Sequence, residues 1–301
     1  MVNAVILAGT PKDSSELIKG KNKSFLSIRH KLVIDYVMNA IEQSRNVERA
    51  VVVGPKEGIK SLDFNHKLRY KHIGKGYDTV EESSNQNGWK RFLENLINGY
   101  KIARKDDEKV LFLPGDMPLV KAEHLDDFIN KCLEYEKENR YDAYYAYVDN
   151  SKVKREYPGH ERRGFMAIED GIWGEFRPGN FVLANLDKVK EKERLARGFY
   201  YVRKLSKPSS WLMMAHIAGY KDTARFFYRY VKRILTMDDV QDYFSRALGT
   251  RLKLVKSKYS QLEFDIDNES DLDNLTYRLE YTGLSKTVTV GRRRVDNIKS
   301  S

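Results

Sequence analysis

Asn3-Ala-Val-Ile-Leu7, running into Ala8-Gly9-Thr10-Pro11, is a short run, apolar after Asn3 and too short for a helix, that ends in a glycine and proline turn. That is the pattern of a strand buried on both faces and released into a loop. The pattern returns twice: Ala50-Val-Val-Val53 stops at Gly54-Pro55, and Lys109-Val-Leu-Phe-Leu113 stops at Pro114-Gly115. Between these runs the apolar residues change period. Leu32, Val33, Tyr36, Val37, Ala40 and Ile41 recur at helical spacing, and 89–103 sets Trp89, Phe92, Leu93, Leu96 and Ile97 on one helix face. Fully apolar strands separated by amphipathic helices predict an α/β fold, with a mostly parallel sheet covered by helices on both sides.

The second half is less regular. Strands are expected at 142–147, 181–184, 252–255 and 262–266, with an irregular or hairpin-like insertion over 151–180. A basic, aromatic helical stretch spans 209–234, with Trp211, Leu212, Ala215, Phe226, Phe227, Tyr230 and Val231. A further helix over 236–248 starts at Thr236, with Asp239 completing the cap, and stops at Gly249. A last helix is expected at 269–281. No repeat or linker divides the chain. One domain over 1–285 is expected, with 150–250 as a substrate lobe and 286–301 as a basic tail.

Composition narrows the function. With one cysteine, Cys132, no internal disulfide forms, and the scattered histidines have no zinc spacing. No run approaches the length of a membrane-spanning helix, and the amino terminus reads as a strand rather than a secretion signal. A cytoplasmic location is expected. The net charge of +11 draws polyanions: nucleotides, nucleic acid or an anionic membrane face. The plainer reading is a lysine-rich solvated surface. Peripheral contact of the 209–234 helix with a membrane is set against its docking on the core, and docking is preferred.

Open parallel sheets bind ligands beyond the carboxyl ends of their strands, and three features fall there. After the first strand, Leu7-Ala8-Gly9-Thr10 exposes backbone amides suited to phosphate, and Lys23 downstream supplies a point charge. After the third apolar run, Asp116 in Pro114-Gly-Asp-Met-Pro118 is either a cation ligand or an aspartate favoured by turn chemistry. In Phe264-Asp-Ile-Asp-Asn-Glu269, period-two alternation puts Asp265 and Asp267 on one side. Two such carboxylates call for a cation or a basic group between them; otherwise they belong to a solvated strand edge and a helix cap.

Taken together and in order, these pieces resemble the MobA-like nucleotidyltransferases. The opening Val-Ile-Leu-Ala-Gly9 with Lys23-Ser-Phe-Leu-Ser-Ile-Arg-His-Lys31-Leu-Val-Ile-Asp-Tyr-Val is similar to theirs, with Lys23 at the signature lysine and Lys31 at a second. Leu113-Pro-Gly-Asp116-Met-Pro-Leu119 resembles their metal-binding segment. Asp265-Ile-Asp267-Asn-Glu-Ser-Asp271-Leu resembles their late aspartate, with Asp267 in the role and Asp265 its nearest rival. Arg177-Pro-Gly-Asn180-Phe is similar to an acceptor-side segment.

The resemblance implies a Rossmann-like sheet of the nucleotide-diphospho-sugar transferase type with an inserted substrate lobe. It implies NTP as substrate, Mg²⁺ on Asp116 and Asp267 (or Asp265), and catalytic roles for Lys23, Asp116 and Asp267. Nucleotide contacts are expected from Leu7, Ala8, Gly9, Thr10, Lys12, Lys23 and Gly76. An anionic acceptor is expected at Arg162, Arg163, Arg177 and Asn180. The chain departs from the family at 10–16, which lacks the usual Gly-x-Arg element; Lys12 stands in as a phosphate contact without arginine's fork. Two other readings share the fold: a GT-A glycosyltransferase using a nucleotide-sugar, and a non-catalytic nucleotide- or nucleic-acid-binding protein.

Overall fold

A computed structural model describes residues 1–10, 17–28, 30–69, 76–105, 108–158, 160, 162, 164–189, 191–194, 197 and 215–276, with the side chains of 63–69 apart. In chain order the elements are β1 (Val2–Leu7), β2 (Ser27–Ile28), β3 (Lys31–Leu32), α1 (Val33–Gln43), β4 (Val47–Gly54), α2 (Lys56–Arg69), β5 (Tyr77–Glu81), α3 (Gly88–Ala103), β6 (Val110–Pro114), α4 (Ala122–Glu138), β7 (Ala143–Asp149), α5 (Asn150–Glu156), β8 (Phe165–Glu169), β9 (Ile172–Ala184), α6 (Tyr220–Val231), α7 (Met237–Leu248) and β10 (Leu252–Ser257). Short three-ten turns lie at Lys23–Phe25 and Ser260–Leu262, and 269–276 is helical.

The main sheet runs β10-β7-β9-β6-β1-β4-β5, with β8 alongside β9. β1 is parallel to β4 and β6, β4 to β5, and β7 to β10; β9 runs antiparallel to β6, β7 and β8. The apolar strands work because both faces are covered. Alternate residues (Ala4, Ile6, Ala50, Val52, Leu111, Leu113) enter a core shared with Val37 and Ile41 of α1 and Phe128 and Ile129 of α4. Their neighbours (Val5, Val51, Val53, Val110, Phe112) enter a second core with Leu96 and Tyr100 of α3 and Val240 and Tyr243 of α7. Burying a side chain of this size is worth about 1.5–3 kcal/mol.

The second half brings differences. The insertion expected over 151–180 is α5 followed by a tight hairpin, and its long strand β9 lies inside the sheet between β6 and β7. The turn is Asp170-Gly171, with φ of +51° and +78°, a dipeptide that takes the left-handed conformation a two-residue hairpin needs. The strand expected over 262–266 does not form. A three-ten turn ends at Leu262 and the following residues are irregular, because their acidic side chains turn inward to buried cations, and Ile266 N–H donates to the Asp116 carbonyl at 3.2 Å rather than to a ladder. Gly219, at φ +95°, separates the 215–218 turn from α6. The capping of α7 is as expected: Thr236 Oγ1 accepts from Asp239 N–H, Asp239 accepts from Thr236 N–H, and Gly249 closes the helix at φ +61°.

Candidate active site

The carboxyl edge of the sheet is where β1, β4, β5 and β6 release their chains, at Leu7, Gly54, Glu81 and Pro114. Three of the expected segments meet there. Gly115 N–H donates to the Leu7 carbonyl at 3.0 Å, and Asn22 Nδ2 donates to the Ala8 carbonyl at 3.0 Å. A Cβ on Gly115 would come within 2.8 Å of Ser24 Oγ and 3.1 Å of the Ala8 methyl. Glycine is what lets the loop after β6 close onto the turn after β1. Asn22 also caps the three-ten turn that carries Lys23, accepting from Ser24 N–H at 3.0 Å.

From that turn Lys23 Nζ donates to Asp267 Oδ1 at 2.7 Å. The bond from Ile266 N–H to the Asp116 carbonyl ties the late acidic segment to the loop after β6. Lys23, Asp116 and Asp267, which span most of the chain in sequence, therefore belong to one assembly. The Asp267 side chain is 45% exposed and faces outward, whereas Asp265 is buried.

The group between the two aspartates is Arg162. Its NH1 lies 2.5 Å from Asp265 Oδ1 and its NH2 2.8 Å from Asp267 Oδ2, with Asp271 Oδ2 at 3.4 Å. Burial disfavours the guanidinium charge, but Asp265, Asp267 and Glu263 outweigh it and hold the Arg162 pKa above its ordinary value. Arg177 pairs with Glu263, which is 1% exposed. Burial lowers the Arg177 pKa, with Glu263 opposing that shift and Arg162 adding to it. Arg162 and Arg177, expected to face an acceptor, thus spend their charge on the protein's own carboxylates. Asn180 is half-buried on β9, and Arg163 and Lys12 lie outside the described residues.

His160 completes the buried network. Its Nδ1 is 3.1 Å from Asp271 Oδ1 and its Nε2 3.4 Å from Glu263 Oε2, and its ring stacks on Phe264 at 4.3 Å. Glu263, Asp265, Asp267 and Asp271 face Lys23, Arg162 and Arg177, and the two carboxylates against the His160 ring favour its protonated form. Burial alone would lower the His160 pKa; hydrogen bonding to Asp271 and Glu263 outweighs it, and the net shift is upward. A raised folded pKa makes the contribution of His160 complete below its unfolded value of about 6.5 and lost as pH climbs through the folded value. Urea unfolding at pH 5.5 and 8.5 is expected to show this loss in the native chain and to show it diminished in His160→Gln. An identical pH slope in both proteins would contradict it.

His160, Glu263 and Asp265 also bring ligand atoms within 4.8 Å of one another. All three are buried, unlike Asp267, and a nitrogen-bearing set of this kind does not suit Mg²⁺.

In the turn after β1 the Ala8 and Thr10 amides are already engaged. Ala8 N–H is committed to the Val53 carbonyl at 2.8 Å. Thr10 N–H and Oγ1 each donate to the Glu82 carboxylate at 2.6 Å. Glu82, just past β5, is anchored by its own N–H to the Gly54 carbonyl at 2.8 Å. The expectation for Gly76 changes accordingly. It precedes Tyr77, which pairs with Ala50 at the amino end of β5, so it sits at the opposite end of that strand and is not part of the assembly. Glu82, His160, Glu263 and Asp271 were not singled out from sequence. Of these, Glu82 alone carries a positional signal, as the first residue after a strand at the carboxyl edge.

A family model described as a MobA-like NTP transferase domain matches residues 4–169. Among solved structures, the fold is similar to that of a hypothetical transferase from Thermus thermophilus, with a TM-score of 0.61 and 18% identity over 90% of this chain and 100% of that one. It is also similar to a CMP:2-keto-3-deoxy-manno-octonic acid synthetase solved with CTP, with a TM-score of 0.53 and 9% identity over 94% of this chain and 100% of that one. No curated protein matches the sequence.

Proposed function

The chain belongs to the MobA-like NTP transferase family, and on that premise we propose that it transfers a nucleoside monophosphate from an NTP to an anionic acceptor with the help of Mg²⁺. An acceptor oxygen attacks the α-phosphorus, the bond to the bridging oxygen breaks, and pyrophosphate leaves; a phosphate acceptor enters already ionised, whereas a hydroxyl would release its proton to solvent as the new bond forms. The observation that supports this reading is the convergence of Lys23, Asp116 and Asp267 at the carboxyl edge beside the first turn.

The donor set fits the ion. Mg²⁺ takes oxygen ligands, retains several waters and is held by one or two carboxylates together with substrate phosphates. Asp116 and Asp267 offer such carboxylates, and Asp265 is better read as the buried anchor of Arg162. Bound there, the ion would neutralise charge developing on the transferred group and on the departing pyrophosphate.

The protein's own part is positioning, which dominates phosphoryl chemistry. Arg162 fixes one oxygen of Asp267 and Lys23 the other. With a nucleotide present, Lys23 would exchange Asp267 for a phosphate oxygen. Phosphate contacts in the first turn fall to Gly9 and Thr10, since the Ala8 amide is spent on β4. For the Thr10 amide, the nucleotide would replace the Glu82 carboxylate, one anion for another. Asn180 and Arg163 are the residues proposed to meet the acceptor, and Arg162 and Arg177 act as structural cations.

A thermal-shift screen of the four NTPs with and without Mg²⁺ tests the reading. One NTP is expected to raise the melting temperature only with the metal, by the equivalent of about 2.7 kcal/mol at a hundredfold excess over Kd. Stabilisation by a nucleotide-sugar alone would make it a glycosyltransferase. No nucleotide response, with salt-sensitive oligonucleotide binding, would make it a binding protein.

A further inference from the structure

Helix α6 docks on the core by a narrow strip. Thr223 and Phe226 are its buried residues, and Phe226 packs against Tyr243 of α7 with ring centroids 4.6 Å apart. Beside that strip, on the exposed face, Tyr220, Ala224, Phe227, Tyr228 and Val231 are spaced at three and four residues so that they form one stripe. Tyr228 is 61% exposed and Val231 74%. Lys221, Arg225 and Lys232 follow one flank of the stripe, and Arg233 and Ile234 continue it into the exposed turn beyond. Residues 220–234 hold five basic groups and one acid, Asp222, which pairs with Arg246. Scattered exposed apolar residues are ordinary in soluble proteins, but a contiguous stripe flanked by cations is not.

The surroundings extend the patch. Tyr230 packs against Trp173 of β9 at 6.3 Å, and Ile168 N–H of β8 donates to the Leu235 carbonyl at 2.7 Å. The end of α6 therefore rests on the β8–β9 hairpin. Asp149, the last residue of β7, pairs with Phe176, so residues 172–175 continue past that strand on the edge of the sheet that carries Asp116. Ile172, 70% exposed at the hairpin turn, adds to the apolar surface.

We propose that the outer face of α6, together with the 231–234 turn and the hairpin tip at Ile172, is a docking surface for an anionic lipid bilayer. Among the described residues no helix is long and apolar enough to cross a membrane, and the contact is interfacial: aromatic and aliphatic side chains enter the head-group layer while lysine and arginine remain at the phosphates. Charge complementarity selects the occupant. A surface carrying Lys221, Arg225, Lys232 and Arg233 repels a second copy of itself and is drawn to negative lipid, where each basic residue is worth about fivefold in affinity. Docking in this way would turn the carboxyl edge of the sheet toward the membrane. The proposal stands independently of the transfer reaction, because its test measures binding.

Sedimentation with large vesicles of phosphatidylcholine, with and without phosphatidylglycerol, decides it. Binding is expected to be more than about tenfold stronger to the anionic vesicles and to weaken as salt is raised. Phe227→Ser/Tyr228→Ser/Val231→Ser, all on the outer face, is expected to abolish it with an unchanged circular dichroism spectrum. Lys232→Glu/Arg233→Glu is expected to remove the preference for anionic lipid. Any of three results would overturn the proposal: binding unaltered in the triple variant, salt-sensitive binding to an oligonucleotide with none to vesicles, or a concentration-dependent dimer that the triple variant dissolves.

Discussion

Asp116→Asn is expected to lower nucleotidyl transfer about a thousandfold or more while leaving the protein folded. The aspartate follows Pro114 at the end of β6, and its loop is secured through the backbone: Gly115 N–H to the Leu7 carbonyl and Ile266 N–H to the Asp116 carbonyl. An amide of the same shape preserves those bonds and removes the negative charge that would hold a divalent cation against the triphosphate. Pyrophosphate release at saturating Mg²⁺ is the readout, with the melting temperature as control. A rate within a few-fold of the native protein, in a folded variant, would mean that Asp116 is a turn residue and nothing more.

The largest expected loss of stability is at Glu263→Ala. This carboxylate is almost completely enclosed and faces Arg177, with Arg162 NH1 at 3.9 Å and His160 Nε2 at 3.4 Å. Removing it takes from the Arg177 guanidinium, whose side chain is 11% exposed, the carboxylate it pairs with directly. Breaking a buried pair in this way costs about 3–5 kcal/mol, whereas replacing both members with apolar groups can be close to neutral. Urea unfolding is expected to show the full loss in Glu263→Ala and a partial recovery in Glu263→Ala/Arg177→Leu. A loss under about 1 kcal/mol in the single variant would show that Arg177 reaches water on its own.

The contrast between the two halves of the chain is physical. β1, β4, β6 and α1 were legible because a residue's fate there follows from period alone: strands buried on both faces are apolar throughout, and the helix over them shows a single stripe. The parallel order of β1 and β6 brings the turn after β1 beside the loop that carries Asp116. At 262–266 the same periodic logic fails. Glu263 and Asp265 are buried by virtue of Arg177 and Arg162, and no pattern in one segment announces a partner roughly a hundred residues away. The same cause misdirected the reading of the two arginines, which look like surface charge until the acids that hold them are known. β9 was half missed because its first residues alternate with glycine and charge, although Asp170-Gly171 marks its turn.

Glu82 bears on how the first turn works. Its carboxylate already occupies the Thr10 amide and hydroxyl, so this turn accepts an anion, as a phosphate-binding turn must. The missing Gly-x-Arg element removes one cation from the loop, and Lys23, held on Asp267, supplies a positive charge among the described residues.

If Asp116 and Asp267 share one divalent ion, Mn²⁺ titration followed by electron paramagnetic resonance in the presence of the stabilising NTP detects it. One tightly held ion per chain is expected, and both Asp116→Asn and Asp267→Asn should lose it. Retention of that ion by the folded Asp267→Asn protein would contradict a shared site.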